Sequence, residues 1–432
     1  MGTVIDLTID GIVLDWSKNS MGIDHGSLFQ AVDLAGRTSE QIDYAYCAEN
    51  DIDTTSAERA FVRPLASVLP RLDLLGYGLD GARAAYDEAV RQAVQLARDI
   101  TSVELPTDFM SFDEFVSTCG RFPLSDLADQ VIKPIEGSSA LPGKFEAHAA
   151  DIRRIPAELD YYPWMREGGQ SERDFFGSAF CILDAYSMLQ VLGADGRNAD
   201  AELVWLYGAL VDNGWEEEAS FVAGAPRLKR ILVATEGTSD ARIVRRGLDA
   251  LRPDIADFFH FIDVNENHPF WGTGSLVKFA EGLVRIDVQN QILFLLDNDA
   301  EGRDAERRLQ ALGMPTNMRA MVLPDHPSLR DFPSLGPQGV SSGDINGRAA
   351  AIECYLDLTL PGYPPPKVVW SNYKKDVDAW QGALEHKGSY AKHFFEQTDK
   401  KLLDGGYDTS KLVAVLDALV AEAASLVAPV SR

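Results

Sequence analysis

The chain has 432 residues, 46% of them hydrophobic, and a formal net charge of −26. That length permits two or three domains with a substantial core, and no apolar stretch reaches the roughly 18 uninterrupted residues of a membrane span. The excess of acid excludes a surface that coats nucleic acid or anionic membrane without selection. Any chemistry on nucleic acid then needs a local basic strip and metal ions that bridge phosphate to carboxylate.

The opening "MGTVIDLTIDGIV" is acidic and alternating. It lacks the basic and apolar regions of a signal peptide and the Ser or Thr at the sixth position of a myristoylation site. Residues 3–16 alternate apolar and polar around Asp10-Gly11, which predicts a β-hairpin. Helical spacing follows in "SAERAFVRPLASVLPRL", "LDGARAAYDEAVRQAVQLARDI" and "SFDEFVSTCGRF", the last opening on a Ser111–Glu114 capping box. After the break "EGSSALPGK", "SERDFFGSAFCILDAYSMLQVLG" and "NADAELVWLYGALVDNG" predict further helices. The first half is therefore expected to be mostly helical with a small β element, divided at 1–130 and 131–225. Its thiols, Cys47, Cys119 and Cys181, and the later Cys354 form no CxxC. They are expected to be reduced core residues of a cytosolic protein, with no zinc site.

Beyond "AGAPRLK" the pattern changes. "RILVATEG", "FFHFIDV", "QILFLLDND" and "MRAMVLP" read as strands, separated by the helical segments "TSDARIVRRGLDALRP", "GSLVKFAEGLVRI" and "EGRDAERRLQALG". This alternation predicts a parallel sheet with helices on its faces, in an α/β domain over 226–402. The "NENHPFWGTG" loop, with His268 and Trp271, is expected to pack over that sheet, and His260 to be a core or surface residue. Two helices, roughly 376–402 and 409–427, are expected to follow, with 403–432 as a C-terminal helical segment.

In "LLDNDAEGRDAERR" Asp297 and Asp299 stand at a strand end, where open α/β sheets place reactive groups. A calcium loop fails because position 12 is Arg308 rather than Glu. A phosphatase-type nucleophile fails because Glu301 stands where Thr or Val is needed. In "TEGTSD" Glu236 ends another strand, and Asp240 lies one helical turn on. Any one of these acids is explained by helix capping, worth roughly 0.3–1 kcal/mol. Together they favour an all-oxygen site for Mg²⁺ or Mn²⁺. Gly237 and Gly302 are expected to let the backbone turn sharply beside a phosphate. Arg242, Arg245 and Arg246 follow Glu236 on one helix, and Arg303, Arg307 and Arg308 follow Asp299 on another. They read either as solvated charge balancing the acids or as the basic strip that a nucleic-acid substrate requires.

The pair EGxSD and DxDxxG, each at a strand end, resembles the Toprim domain over about residues 227–400. OLD-family nucleases share it and add an acid matched by Asp240, a later Glu matched by Glu353 and a Lys matched by Lys387. The family's Ser two residues before that Glu is Ala351 here. "VIDLTIDG", "RLDLLGYGLDGA" and "MSFDEFV" resemble bacterial HEPN/Toprim-associated proteins. The R-x4-6-H motif of HEPN ribonucleases is matched only by Arg319 and His326, on a predicted strand rather than a bundle helix.

The resemblance implies a HEPN-like helical half that dimerises or senses, and a Toprim half that cleaves DNA or RNA in antiviral defence. Two Mg²⁺ ions about 3.5–4 Å apart would then serve an in-line displacement. Glu236, Asp240, Asp297, Asp299 and Glu353 would be the ligands, with Lys387 offsetting charge in the transition state. The alternative is a non-catalytic effector that uses the same fold to bind nucleotide, nucleic acid or a phage protein.

Overall fold

The computed structural model describes residues 2–99, 108–132, 141–156, 170–262, 272–374 and 379–427. The chain forms two compact units that meet in sequence at Ala225 and Pro226.

In the first unit β1 (Val4–Ile9) and β2 (Ile12–Lys18) form a hairpin. Its turn residues Asp10 and Gly11 have φ of 44° and 78°, the left-handed pair that a two-residue type I′ loop demands. The β element is larger than that hairpin. With β3 (Leu34–Gly36), β4 (Arg59–Pro64) and β5 (Glu202–Leu206) it makes an antiparallel five-stranded sheet ordered β2-β1-β5-β4-β3. Two segments expected to be helical therefore begin as strands. Arg59–Pro64 pairs with β5, and the chain turns into a helix only after Pro64. Val204 and Trp205 fill the slot between β1 and β4, so only the residues after Tyr207 are helical. Trp205 is 1% exposed and packs against Phe61, Tyr207 and Phe221.

The helices of this unit are α1 (Tyr44–Glu49), α2 (Leu65–Leu75), α3 (Leu79–Asp99), α4 (Phe112–Cys119), α5 (Ala149–Ile152), α6 (Glu172–Phe180), α7 (Ala185–Gly193) and α8 (Gly208–Asp212). The Ser111–Glu114 capping box is present at the start of α4. Residues 171–193, expected as one helix, are two. Asp184 accepts hydrogen bonds from the Tyr186 and Ser187 N–H groups and starts α7 afresh, at 114° to α6. Together the pair is apolar enough to pass for a broken membrane span, but Phe176, Phe180, Met188 and Leu189 are buried in the protein core. Among the described residues no single helix is long and apolar enough to cross a membrane.

The second unit is α/β. Strands β6 (Ile231–Thr235), β7 (Phe259–Phe261), β8 (Ile292–Leu296) and β10 (Met318–Val322) form a parallel sheet ordered β10-β8-β6-β7. Between β8 and β10 lies the short β9 (Asn298–Asp299), which pairs with β13 (Ala349–Ala350). Helices α9 (Thr238–Leu251), α10 (Thr273–Arg285) and α11 (Ala300–Gln310) follow β6, β7 and β9. Leu276 and Val277 of α10 and Ala305 and Leu309 of α11 close over Ala234, Phe294 and Leu296. Every residue of β8 is buried, as expected for a central parallel strand covered on both faces.

A second sheet, ordered β12-β11-β14-β15, contains β11 (Phe332–Gly336), β12 (Gly339–Gly343), β14 (Val368–Lys374) and β15 (Ala379–Leu384). The helix expected over 376–402 therefore starts as strand β15, paired residue by residue with β14. It continues as α12 (Lys387–Phe395) and α13 (Asp399–Leu403) before α14 (Ser410–Leu426). Gly382 is required in β15. A Cβ there would lie 2.6 Å from Val368 Cγ1 and 3.1 Å from the Ala349 Cβ.

Trp205→Ala opens a cavity in the first unit. It is expected to cost about 3–5 kcal/mol, read as a lower urea midpoint for loss of near-ultraviolet circular dichroism.

Candidate metal centre at the carboxyl edge of the parallel sheet

Glu236 directly follows β6, and its Oε1 accepts a hydrogen bond from the Asp297 N–H at 3.0 Å. One turn into α9, Asp240 Oδ2 accepts from the Gly237 N–H at 3.0 Å, and Oδ1 accepts from the Ser239 hydroxyl at 3.1 Å. Asp297 directly follows β8, and its Oδ1 accepts from the Ile352 N–H at 3.0 Å. Asp299 caps α11 by accepting from the Gly302 N–H at 2.8 Å, and its Oδ2 accepts from Gln381 Nε2 at 2.5 Å.

Strand alternation explains the Asp-Asn-Asp order. Asn298, fully buried between the two acids, accepts from the Gly347 N–H at 2.8 Å and donates to Asp325 at 2.8 Å. The pairing of Ala349 with Asp299 and of Ala350 with Asn298 then delivers Glu353 to the same edge.

Burial is the main force on these carboxyls. Burial, then the charge of Asp299, raises Glu236 to about 8. Burial, then Glu353, raises Asp240 to about 6, with Lys387 opposing. Burial, then Asp240 and Glu236, raises Asp297 well above the ordinary carboxylate range. Glu353 is 3% exposed, and among the described residues its carboxylate has neither a hydrogen bond nor an ion pair. No hydrogen bond reaches Glu236 Oε2 or Asp297 Oδ2 either. Crowded carboxylates repel one another unless protons or a cation stand between them, and oxygen donors lacking His or Cys suit Mg²⁺ or Mn²⁺. The donor chemistry fits such a cation. Among the described residues no three acidic, His or Cys side chains have closed around one point, so the donors surround the position without forming a finished cage.

Lys387 opens α12, is exposed, and its charge acts on Asp240. Half of the expected basic strip is neutralised. Arg246 pairs with Asp399 and donates to the Gln397 carbonyl. Arg303 pairs with Asp325 at 3.0 Å, and Arg307 with Asp304 at 2.8 Å. Arg242 lies over the Phe395 ring at 5.0 Å, beside an open cavity of about 430 Å³ that Lys392 also lines. Arg245 and Arg308 are exposed and, among the described residues, unpaired.

Two residues here were not anticipated. Gln381 holds Asp299, and its Oε1 is buried without a partner. Arg348 is exposed, forms a backbone bridge with Asp299, and has no ion pair among the described residues. Nothing local in the sequence ties either one to Asp299.

The glycines divide. A Cβ on Gly302 would meet the Asp297 carbonyl oxygen at 2.0 Å, so the demand comes from the neighbouring backbone rather than from a phosphate. Gly237 has an extended backbone at φ −146° with no such contact, so the sharp turn expected there is absent. Arg319 pairs with Glu422, and His326 Nδ1 lies 2.8 Å from the Ser328 hydroxyl. His260 is exposed on β7, and His268 and Trp271 lie outside the described residues.

The raised carboxyls set a pH dependence. In the folded state they hold protons that the unfolded chain has released, so stability falls as pH rises. For Glu236 the loss begins near the ordinary value of 4.5 and is complete above about 8, and for Asp240 it runs from near 3.8 to above about 6. In EDTA the thermal midpoint is expected to drop across that window. Mn²⁺ should restore it at the alkaline end, and Asp297→Asn should flatten the profile. Gly302→Ala is expected to lower the midpoint and remove the Mn²⁺ effect, because its Cβ displaces the Asp297 carbonyl.

No curated protein and no solved structure matches the chain. The family model described as HEPN/Toprim N-terminal domain 1 matches residues 1–229, more than half of the 432. The chain therefore belongs to the HEPN/Toprim N-terminal domain 1 family.

Proposed function

We propose that the protein is a metal-dependent nuclease that hydrolyses DNA or RNA phosphodiester bonds, with its second unit acting as a Toprim domain of the OLD type. The observation that carries this reading is Glu353, a buried residue whose carboxylate has no hydrogen bond or ion pair among the described residues and whose charge acts on Asp240 and Asp297, two of three carboxyls that burial and neighbouring acids push upward. Such an arrangement is stable only with protons or a cation in place. Glu236, Asp240, Asp297, Asp299 and Glu353 would hold Mg²⁺ or Mn²⁺, which when bound supplies Lewis-acid stabilisation of a phosphoryl group and an activated water.

The chain's own residues do the rest. Hydrolysis joins the water oxygen to phosphorus and breaks the bond to the leaving sugar oxygen. Extra negative charge builds on the phosphoryl oxygens, and Lys387 and Arg348, without an ion pair among the described residues, are cations at hand to offset it. The backbone N–H groups of Asp297, Gly302 and Ile352 fix three of the carboxylates in advance. No protein nucleophile is required. The N-terminal unit would dimerise or sense, and the resemblance to HEPN/Toprim-associated proteins supports a cytoplasmic role in defence against phage.

The net charge of −26 and the neutralised arginines favour a second reading, in which the fold binds a partner without cleaving. Purified protein incubated with supercoiled plasmid, single-stranded DNA or RNA separates the two. Cleavage is expected with Mg²⁺ or Mn²⁺ and not with EDTA, and the Asp297→Ala/Asp299→Ala variant should be inactive. Substrates left intact by the wild-type protein, or cleaved equally by the variant, would leave the binding reading.

A further inference from the structure

The β14–β15 hairpin carries features that the carboxylate site does not use. Tyr373 and Trp380 face each other across it, 46% and 43% exposed, with ring centroids 5.6 Å apart in an edge-on arrangement. Both rings are partly exposed, and neither is among the buried residues of the core. The next residue, Gln381, donates its amide N–H to Asp299 while its own Oε1 stays buried and unpaired. That bond is kept although the acceptor beside it is unsatisfied, which fixes the hairpin to an acid of the site. Gly382 in turn packs on Ala349, whose neighbour Arg348 is an exposed cation without an ion pair among the described residues. Trp380 thus lies one residue from the bond that reaches Asp299, and Arg348 is bridged through its backbone to the same acid.

We propose that the β14–β15 hairpin docks a single strand of nucleic acid. An unpaired base stacks on Trp380, with Tyr373 at the edge of that ring, and Arg348 meets a phosphate of the same strand next to Asp299. The inference rests on the nuclease reading for its context and deepens it by naming the substrate class. Every base has a flat face that an aromatic side chain can hold without reading sequence, whereas bases inside a duplex have both faces covered. One guanidinium and two rings also suit an acidic protein, because stacking gathers the strand without the broad basic field that this chain lacks.

The test uses the full chain, with Ca²⁺ in place of Mg²⁺ to hold back turnover. It is titrated into labelled single-stranded DNA, single-stranded RNA and a blunt duplex of the same sequence. The single strands are expected to bind more tightly than the duplex, and the stronger of the two identifies the natural sugar. Trp380→Ala should weaken single-strand binding roughly five-fold or more with an unchanged thermal midpoint, and Trp380→Phe should keep most of the affinity. Equal affinity in wild type and Trp380→Ala, or an equal loss on the duplex, overturns the proposal. Cleavage is scored separately. Binding that depends on Trp380 without cleavage in Mg²⁺ sinks the nuclease reading and keeps the docking surface. Cleavage that depends on Asp297, with binding indifferent to Trp380, does the reverse.

Discussion

Everything at the carboxyl edge of the second unit follows from crowding negative charge where water is scarce. Three carboxyls are raised chiefly by burial and then by neighbouring acids, Asp299 acting on Glu236, Glu353 on Asp240, and Asp240 with Glu236 on Asp297; Glu353 itself is a buried residue with no hydrogen bond or ion pair among the described residues. The fold meets part of this cost with backbone amides, since Glu236, Asp240, Asp297 and Asp299 each accept at least one N–H. Those bonds neutralise no charge. They orient one oxygen of a carboxylate and, for Glu236 and Asp297, leave the other without a hydrogen bond. Preorganised oxygens with uncompensated charge are the electrostatic complement of a small hard cation. If a cation binds there as proposed, folding and cation binding would be coupled, because the same carboxylates would serve both.

Much of the second unit was legible because its signals are local. Four apolar runs separated by amphipathic helices announce a covered parallel sheet, and acids at the ends of two of those runs fall at its reactive edge. The Asp10-Gly11 turn was legible for a similar reason, since two adjacent residues suited to positive φ define the hairpin. Strands β4, β5 and β15 were not. Phe61 and Trp205 become strand residues by pairing with each other, and nothing within a few positions of either shows that the partner exists. Helical spacing in "AERAFVRPLASVL" was real only beyond Pro64.

The same distinction governs the site. Glu236, Asp240, Asp297 and Asp299 carry their spacing on the surface of the sequence. Glu353 was found through resemblance, but its burial depends on β13 pairing with β9. The arginines show the opposite error. Their helical clustering suggested a basic strip, whereas Asp399 and Asp325 arrive from remote segments to neutralise Arg246 and Arg303. Charge on a helix is visible in sequence, but whether that charge is free is a property of the fold.

How an acidic chain would approach a polyanion depends on distance. At physiological salt the Debye length is about 8 Å, so most of the −26 charge is screened from a strand held at one edge. What the strand meets is local. Lys387 and Arg348 are unpaired among the described residues, while the nearby Arg246 and Arg303 are already engaged. The carboxylates repel phosphate until a cation intervenes, so the apo site turns away the same strand that the loaded site would accept. Under the proposed function, substrate binding would be conditional on metal by electrostatics alone, with no conformational switch required. The proposed uncharged foothold on Trp380 and Tyr373 would add affinity without weakening that condition, because stacking is indifferent to the sign of the field around it.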